Sequence, residues 1–189
     1  GECAHTGPTE MKLRKNAMIG AAYFLAAVND IGWGYEPVGR TSASRMQIWP
    51  NKFGILPEYT EVTVDMRHKE RAVTNEMVEK TRAALTDAAK KANVDAEITA
   101  EWTFGDEVFD ADCAQLVRDA AETRGVSQMD ITSIAGHDAY YISRIAPTAL
   151  VFSPCIDGIT HNEAEDVPRE ATNEAANVFF DAVVARADR

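Results

Sequence analysis

The sequence has 189 residues, of which 46% are hydrophobic and 26% charged, a composition typical of a folded globular protein rather than a disordered one. Its formal net charge of −11 argues against a nucleic-acid binder, because phosphate binding needs a surface rich in Lys and Arg. No apolar run approaches the roughly 18 residues that a membrane span needs. The three cysteines, Cys3, Cys113 and Cys155, lack CxxC spacing, so a thiolate zinc site is not expected and a cytoplasmic location fits best.

The first part of the chain alternates between helical and strand-like patterns. Its predicted elements are the tail of a strand at 1–5, a helix at 9–31, strands at Ser42–Trp49 and Tyr59–Arg67, a helix at 69–93 and a strand at Ala96–Phe104. This order, β-α-β-β-α-β, is that of the ferredoxin-like split unit. The opening residues carry no Met and no helix-start signal, so the chain is expected to begin within a domain.

A charge-rich segment, 105–112, forms the predicted junction to a second part. Beyond it the pattern predicts a helix at Ala111–Arg124, a buried parallel strand at Thr148–Pro154 and a helix at Pro168–Arg186. The expected buried face of the last helix consists of Ala175, Val178, Phe179, Ala182 and Val183. One strand is too few for a sheet, so this part is predicted to belong to a larger α/β domain.

His161 follows the predicted strand at Thr148–Pro154 and a turn. The carboxyl end of a parallel strand is where α/β folds place ligands. An imidazole there, with Glu163 and Glu165 nearby, is a candidate zinc ligand supported by carboxylates. The alternative is a solvated acidic loop, because one His lacks the several ligands that define a zinc site.

Three further positions are candidates for substrate contacts. His137 follows Gly136, whose lack of a side chain lets the backbone approach a ligand; Asp138 either orients the imidazole or caps a helix. His5 lies between a strand end and a helix start, as a substrate contact or a turn residue. Arg67 ends a predicted strand, where a guanidinium suits bidentate capture of a carboxylate, or else forms a surface ion pair with a neighbouring acid.

Several segments occur in the order found in one family: GECAHTGPTEM, PNKFGILPEYTEVTVDMRH and AGHDAYYISRIAPTALVFSPCIDGITHNEAE. The sequence resembles the C-terminal portion of zinc-dependent amidases of the hydantoinase/carbamoylase family, which includes N-carbamoyl-L-amino-acid hydrolases, beta-ureidopropionases and allantoate amidohydrolases. The resemblance implies an α/β class. Residues 1–105 would be a ferredoxin-like α+β lid or dimerisation domain with its first strand truncated, and 106–189 the C-terminal portion of the metallo-hydrolase catalytic domain.

The same resemblance implies a role for each matching residue. His161 would be a metal ligand, and His5 the lid histidine that polarises the scissile carbonyl in the neighbouring subunit of a homodimer. Substrate-binding roles are implied for Arg67, Gly136, His137 and Asn51. Two positions depart from the family pattern, Gly54 where a second Asn is usual and Ile134 where Gly is common, so substrate preference is expected to differ.

The implied activity is metal-dependent hydrolysis of the C–N bond of N-carbamoyl amino acids or related ureido compounds, with a carboxylate moving the proton. The complete site would hold two divalent metals, zinc or alternatively manganese, cobalt or nickel. The remaining metal ligands and the general base precede the lid in the family, so these residues alone are expected to be inactive without that N-terminal half. The alternatives are a dimerising fragment that binds small carboxylates without turnover, and a related metallopeptidase or aminoacylase.

Overall fold

The computed structural model describes residues 1–188, and its secondary structure is mixed α/β, as the sequence predicts. The helices are α1 (Ala17–Trp33), α2 (Arg71–Ala92), α3 (Ala111–Arg124), α4 (Ala139–Ser143) and α5 (Arg169–Ala187). The strands are β1 (Ala4–His5), β2 (Arg40–Trp49), β3 (Ile55–Leu56) and β4 (Tyr59–Arg67). The chain divides into two compact units between Thr103 and Phe104. Within the described range, no helix combines the length and apolarity that a membrane crossing requires.

The first unit is built on an antiparallel ribbon of β2 and β4, in which Trp49 lies opposite Tyr59 and Arg40 opposite Arg67. Helices α1 and α2 pack on this ribbon around a buried cluster formed by Phe24, Val28 and Ala88, with Val62 and Val64 of β4 against it. A second small sheet pairs β1 with β3 in antiparallel register. The ribbon is therefore supported by helices along its length, which fixes the distance between its two ends.

Helix α1 lies close against β2 because glycine occupies the contact. A side chain at Gly32 would place its Cβ atom 2.3 Å from Thr41 Oγ1, and the Thr41 hydroxyl donates to the Val28 carbonyl at 2.9 Å. This contact holds the C-terminal end of α1 beside the first residues of β2. The N-terminal end of α1 lies at the other end of the ribbon, where the Ala17 N–H donates to the Pro57 carbonyl.

The predicted start of the first helix, at residue 9, is wrong. Helix α1 begins after Asn16, whose side chain accepts hydrogen bonds from the N–H groups of Met18 and Ile19. Residues before it form a loop with a single 3-10 turn at Met11–Leu13. The other main elements agree with the sequence: β4 and α3 have the predicted bounds, and β2, α2 and α5 differ by two residues or fewer at each end.

Two predicted strands are not formed in the described chain. Residues 96–104 and 148–154 carry no strand hydrogen bonding. In a split βαβ unit the last strand lies beside the first, but here the first strand contributes only Ala4–His5, and these residues pair with β3. Residues 148–154 lack a neighbour for a different reason, because no other strand lies between residues 104 and 188.

The second unit has its core between α3 and α5. The buried residues are Leu116, Ala120, Ala121, Val178 and Ala182. Arg124 joins the same two helices by donating to both carboxylate oxygens of Asp181, at 2.6 and 2.9 Å, and this hydrogen bonding holds the pKa of Asp181 below its usual range.

The predicted buried face of α5 is only partly correct. Val178 and Ala182 are buried, whereas Phe179 and Val183 are 59% and 49% exposed, because α3 covers only one stripe of the helix. Phe180 and Val184 are exposed beside them. Helix α5 therefore carries a second apolar face that residues 1–188 leave in contact with solvent.

Candidate active site

His5 lies on β1, at the end of the ribbon that carries the N-terminus of α1. Its Nδ1 atom accepts a hydrogen bond from the Gly7 N–H at 3.0 Å, and the next residue, Thr6, donates its N–H to the Gly54 carbonyl at 3.0 Å. An Nδ1 atom that accepts carries no proton, so the neutral ring has its N–H at Nε2. The exposed imidazole thus offers one N–H donor, at Nε2. The backbone that carries the ring is held by the Thr6–Gly54 hydrogen bond.

Arg14 braces the loop that follows His5. Its guanidinium donates to the Thr6 carbonyl at 2.6 Å and twice to the Thr9 carbonyl, at 2.9 and 3.1 Å. This role is not predictable from the sequence, because Arg14 falls inside the helix predicted over 9–31. Its bonds go to backbone carbonyls, which leave no signal in the sequence.

Asn51 lies in the loop between β2 and β3, and the Thr6–Gly54 hydrogen bond joins that loop to the residue after His5. The loop borders an open concavity of about 420 Å³, lined by Met46, Gln47, Ile48, Trp49, Asn51 and Tyr59. Gly54 has φ +81°, and a Cβ atom there would meet nothing within 4 Å. The structure therefore brings His5 and the Asn51 loop together and leaves room for a side chain at position 54.

Arg67 lies at the opposite end of the ribbon. Its Nε donates to Asp65 Oδ1 at 3.0 Å and its Nη2 to Asp65 Oδ2 at 2.6 Å, which is the surface ion pair predicted as the alternative to substrate binding. Eight residue steps from Tyr59 to Arg67 span about 26 Å along a strand. Helix α1, which runs between the same two ends, has 17 residues and is about 25 Å long. Arg67 and His5 are thus too far apart to touch one small molecule.

His137 lies in the second unit, in the turn before α4. Its Nε2 atom is 3.1 Å from Ser133 Oγ, and its ring makes edge contacts with the rings of Tyr140 and Phe152. Within the described chain it is Ser133, rather than the predicted Asp138, that hydrogen-bonds the imidazole. Gly136 is exposed, and a Cβ atom there would meet nothing within 4 Å, so the backbone before His137 is open to a ligand.

His161 lies in an exposed loop with φ +55°. Its N–H donates to Glu165 Oε2 at 2.7 Å, and the Ile156 N–H closes the base of the loop on the Asp166 carbonyl at 2.8 Å. Among residues 1–188, no three His, Cys, Asp or Glu side chains converge to hold a metal ion. A catalytic zinc needs about three protein ligands, so the described residues do not make a metal site by themselves.

Comparison with known proteins identifies the class. The model for peptidase family M20/M25/M40 matches residues 3–185. The chain therefore belongs to that family, and its predicted resemblance to hydantoinase/carbamoylase amidases is confirmed.

Individual relatives agree with this assignment. The N-carbamoyl-L-amino-acid amidohydrolase of Rhizobium meliloti is 35% identical over 188 residues, which cover 100% of this chain and 45% of that protein. The allantoate amidohydrolase of Bacillus subtilis is 24% identical over 165 residues, covering 87% of this chain and 40% of that protein. A solved structure from Burkholderia vietnamiensis, an amidase of the hydantoinase/carbamoylase family, has a TM-score of 0.95 and 39% identity over 99% of this chain and 45% of its own. The chain thus spans less than half the length of these relatives.

Proposed function

We propose that the chain forms part of a metal-dependent amidohydrolase that cleaves the C–N bond of N-carbamoyl amino acids or related ureido compounds such as allantoate. The observation that carries the proposal is the exposed His5, whose Nδ1 accepts the Gly7 N–H and whose Nε2 therefore carries the proton of the neutral ring. It is supported by a fold like that of a hydantoinase/carbamoylase-family amidase and by 35% identity to an N-carbamoyl-L-amino-acid amidohydrolase. Such a donor suits the carbonyl oxygen of a carbamoyl group, where negative charge develops when water adds.

The other predicted residues have chemistry that suits the rest of such a substrate. Arg67 holds the Asp65 carboxylate through two parallel N–H bonds, so its fork already binds the functional group that an N-carbamoyl amino acid carries at its other end. Asn51 in its loop and the open backbone at Gly136 offer neutral hydrogen-bonding groups. Binding and orientation of substrate are therefore the tasks that these side chains perform.

The separation of His5 from Arg67 supports a homodimer. The two residues lie at opposite ends of a ribbon about 26 Å long, a span greater than any N-carbamoyl amino acid. Both can contact substrate only if they serve different sites. We therefore infer that each ribbon joins two active sites, with Arg67 at one and His5 at the site centred on the partner subunit.

We assign residues 1–105 to the lid and 106–189 to the catalytic domain, which the relatives' additional length would complete. The accessible surface of the chain is 13,267 Å². Two separate compact domains of half its mass would together expose about 10,700 Å². The accessible area in excess of that value, like the exposed apolar face of α5, is expected of a chain whose surface is partly covered by a further protein segment.

Hydrolysis tests this function directly. The full-length protein, supplied with zinc, manganese, cobalt or nickel, is expected to release the carbamoyl group from N-carbamoyl amino acids or allantoate, whereas the 189-residue chain alone gives no turnover. Preferential hydrolysis of acyl-amino acids would favour an aminoacylase instead. Binding of small carboxylates without turnover of any substrate would contradict an enzymatic role.

Metal content tests His161. In the full-length protein, His161→Ala is expected to lower metal occupancy and to reduce activity by more than the roughly 100-fold typical of outer-shell partners. His68→Ala is the matched control, because the His68 ring accepts the Glu70 N–H within the first unit. Unchanged metal occupancy in His161→Ala, measured by elemental analysis, would remove His161 from the ligand set.

We place this activity in the cytoplasm. All three cysteines, Cys3, Cys113 and Cys155, are free thiols, which suits a reducing compartment.

A further inference from the structure

We propose that Ser133 is a positioning residue that holds His137 in its Nδ1–H tautomer, so that the ring offers an N–H donor at Nδ1 to an oxygen atom of the ligand. The inference rests on the proposed function only for the identity of that ligand, a small carboxylate or ureido compound. The tautomer itself follows from the hydrogen bonds of three residues in the turn before α4 and of Tyr140 within it.

The first step concerns the Ser133 hydroxyl, which has one proton and two nearby acceptors. His137 Nε2 lies 3.1 Å from Oγ, and the Ala135 carbonyl lies 3.5 Å away. The second distance is beyond the usual range for an O–H donor. The Ala135 carbonyl accepts a much shorter hydrogen bond from the Tyr140 hydroxyl, at 2.7 Å, so Tyr140 is its principal donor. The Ser133 proton is therefore directed to His137 Nε2.

The second step concerns the backbone around Ser133. The Ala135 N–H donates to Ser133 Oγ at 3.2 Å, so the hydroxyl accepts one hydrogen bond from the turn while it donates another to the ring. A hydrogen-bonded chain of this kind strengthens each of its members, since each bond polarises the next. The Ser133 hydroxyl is therefore held in place by the backbone of the same turn.

The third step concerns the ring. A neutral imidazole that accepts at Nε2 carries its proton on Nδ1. Edge contacts with Tyr140 and Phe152, at centroid distances of 5.7 and 5.1 Å, restrict rotation of the His137 ring. Within residues 1–188, Nδ1 has no hydrogen-bond partner, so its N–H is available to a ligand. Gly136, the residue before His137, has open space where a Cβ atom would lie.

Two other histidines supply an internal reference. His5 and His68 each accept a backbone N–H at Nδ1, from Gly7 and Glu70 respectively, both at 3.0 Å. Their neutral rings must carry the proton on Nε2. His137 is therefore expected to have the opposite tautomer to two histidines of the same chain.

Long-range ¹H–¹⁵N correlation spectra of the ring nitrogens test this in the 189-residue chain without substrate, at a pH about two units above the usual His pKa. We expect a protonated Nδ1 and an unprotonated Nε2 for His137, and the reverse for His5 and His68. Ser133→Ala is expected to move His137 toward the Nε2–H form, and Ser133→Thr to keep the wild-type pattern. Ser143→Ala, which removes a hydroxyl bound to the Tyr140 carbonyl, should change nothing.

The wild-type spectrum alone can overturn the proposal, because an Nε2–H pattern for His137 contradicts it whatever the variants do. An unchanged tautomer in Ser133→Ala would also contradict it. In the full-length protein, Ser133→Ala is expected to raise KM about tenfold with a smaller change in kcat, and Ser133→Thr to restore it. If the tautomer is as expected but no substrate is hydrolysed, the proposed function fails and the assignment of Ser133 stands.

Discussion

A mixture of two impaired variants is expected to regain activity. In the proposed homodimer, co-expression of His5→Ala and Arg67→Ala full-length chains in equal amounts would give one chain of each kind in half of the dimers. One site of each mixed dimer then combines an intact Arg67 with an intact His5, while its other site lacks both. Activity should rise to about a quarter of the wild-type value, because the two residues lie at opposite ends of the ribbon.

The control for this experiment uses two changes at the same end of the ribbon. His5 and Asn51 lie in adjoining loops, so a mixture of His5→Ala and Asn51→Ala chains leaves every site with one damaged loop. Its activity should not exceed the mean of the two variants. Native mass spectrometry identifies the mixed dimers. Their presence without recovery of activity for the His5 and Arg67 pair would contradict the two-site arrangement.

The second large effect is expected for Arg67 alone. Removing one partner of a desolvated charge pair costs about 2–5 kcal/mol, so Arg67→Ala should raise KM for carboxylate substrates by about 30-fold to several thousand-fold. Most of the effect should fall on KM, because the carboxylate is bound in the ground state as well as in the transition state. Steady-state kinetics of the full-length protein measure both constants.

Arg40→Ala is the matched control, since Arg40 lies opposite Arg67 on the ribbon and forms an exposed ion pair with Glu36. Exposed ion pairs contribute about 0–1 kcal/mol to stability, so neither change should lower the melting temperature much. The same KM in wild type and Arg67→Ala would contradict a substrate-binding role for Arg67.

The elements that the sequence predicts well carry their signals locally. Helix α3 is an example: Asp110 accepts the Cys113 N–H at its start, and Gly125 takes a left-handed conformation after its end. The predicted start of α1 is wrong because more than one polar residue in this segment suits a helix cap, and the one that caps the helix is Asn16. Residues 148–154 have an apolar strand pattern, yet a strand also needs a hydrogen-bonding neighbour, which the sequence of the segment does not specify.

The candidate site divides in the same way. Sequence motifs indicate the candidate functional residues, whose roles stay predictions. These residues are His5, Asn51, Arg67, Gly136, His137 and His161. The motifs do not predict which residues hold the functional groups in place, nor how far apart those groups lie. Arg14 and Ser133 act through backbone groups and a ring nitrogen, and the separation of Arg67 from His5 follows from a strand register.

Gly54 has a consequence for how substrate preference can evolve. It already has φ +81°, a conformation that Asn tolerates better than most residues, and a Cβ atom added there meets no atom within 4 Å. Replacing it with Asn would also restrict the unfolded chain, which offsets part of the conformational cost. One substitution can therefore add an amide to the loop that is hydrogen-bonded to the residue after His5, so the polar groups around the proposed substrate site can change while the fold stays the same.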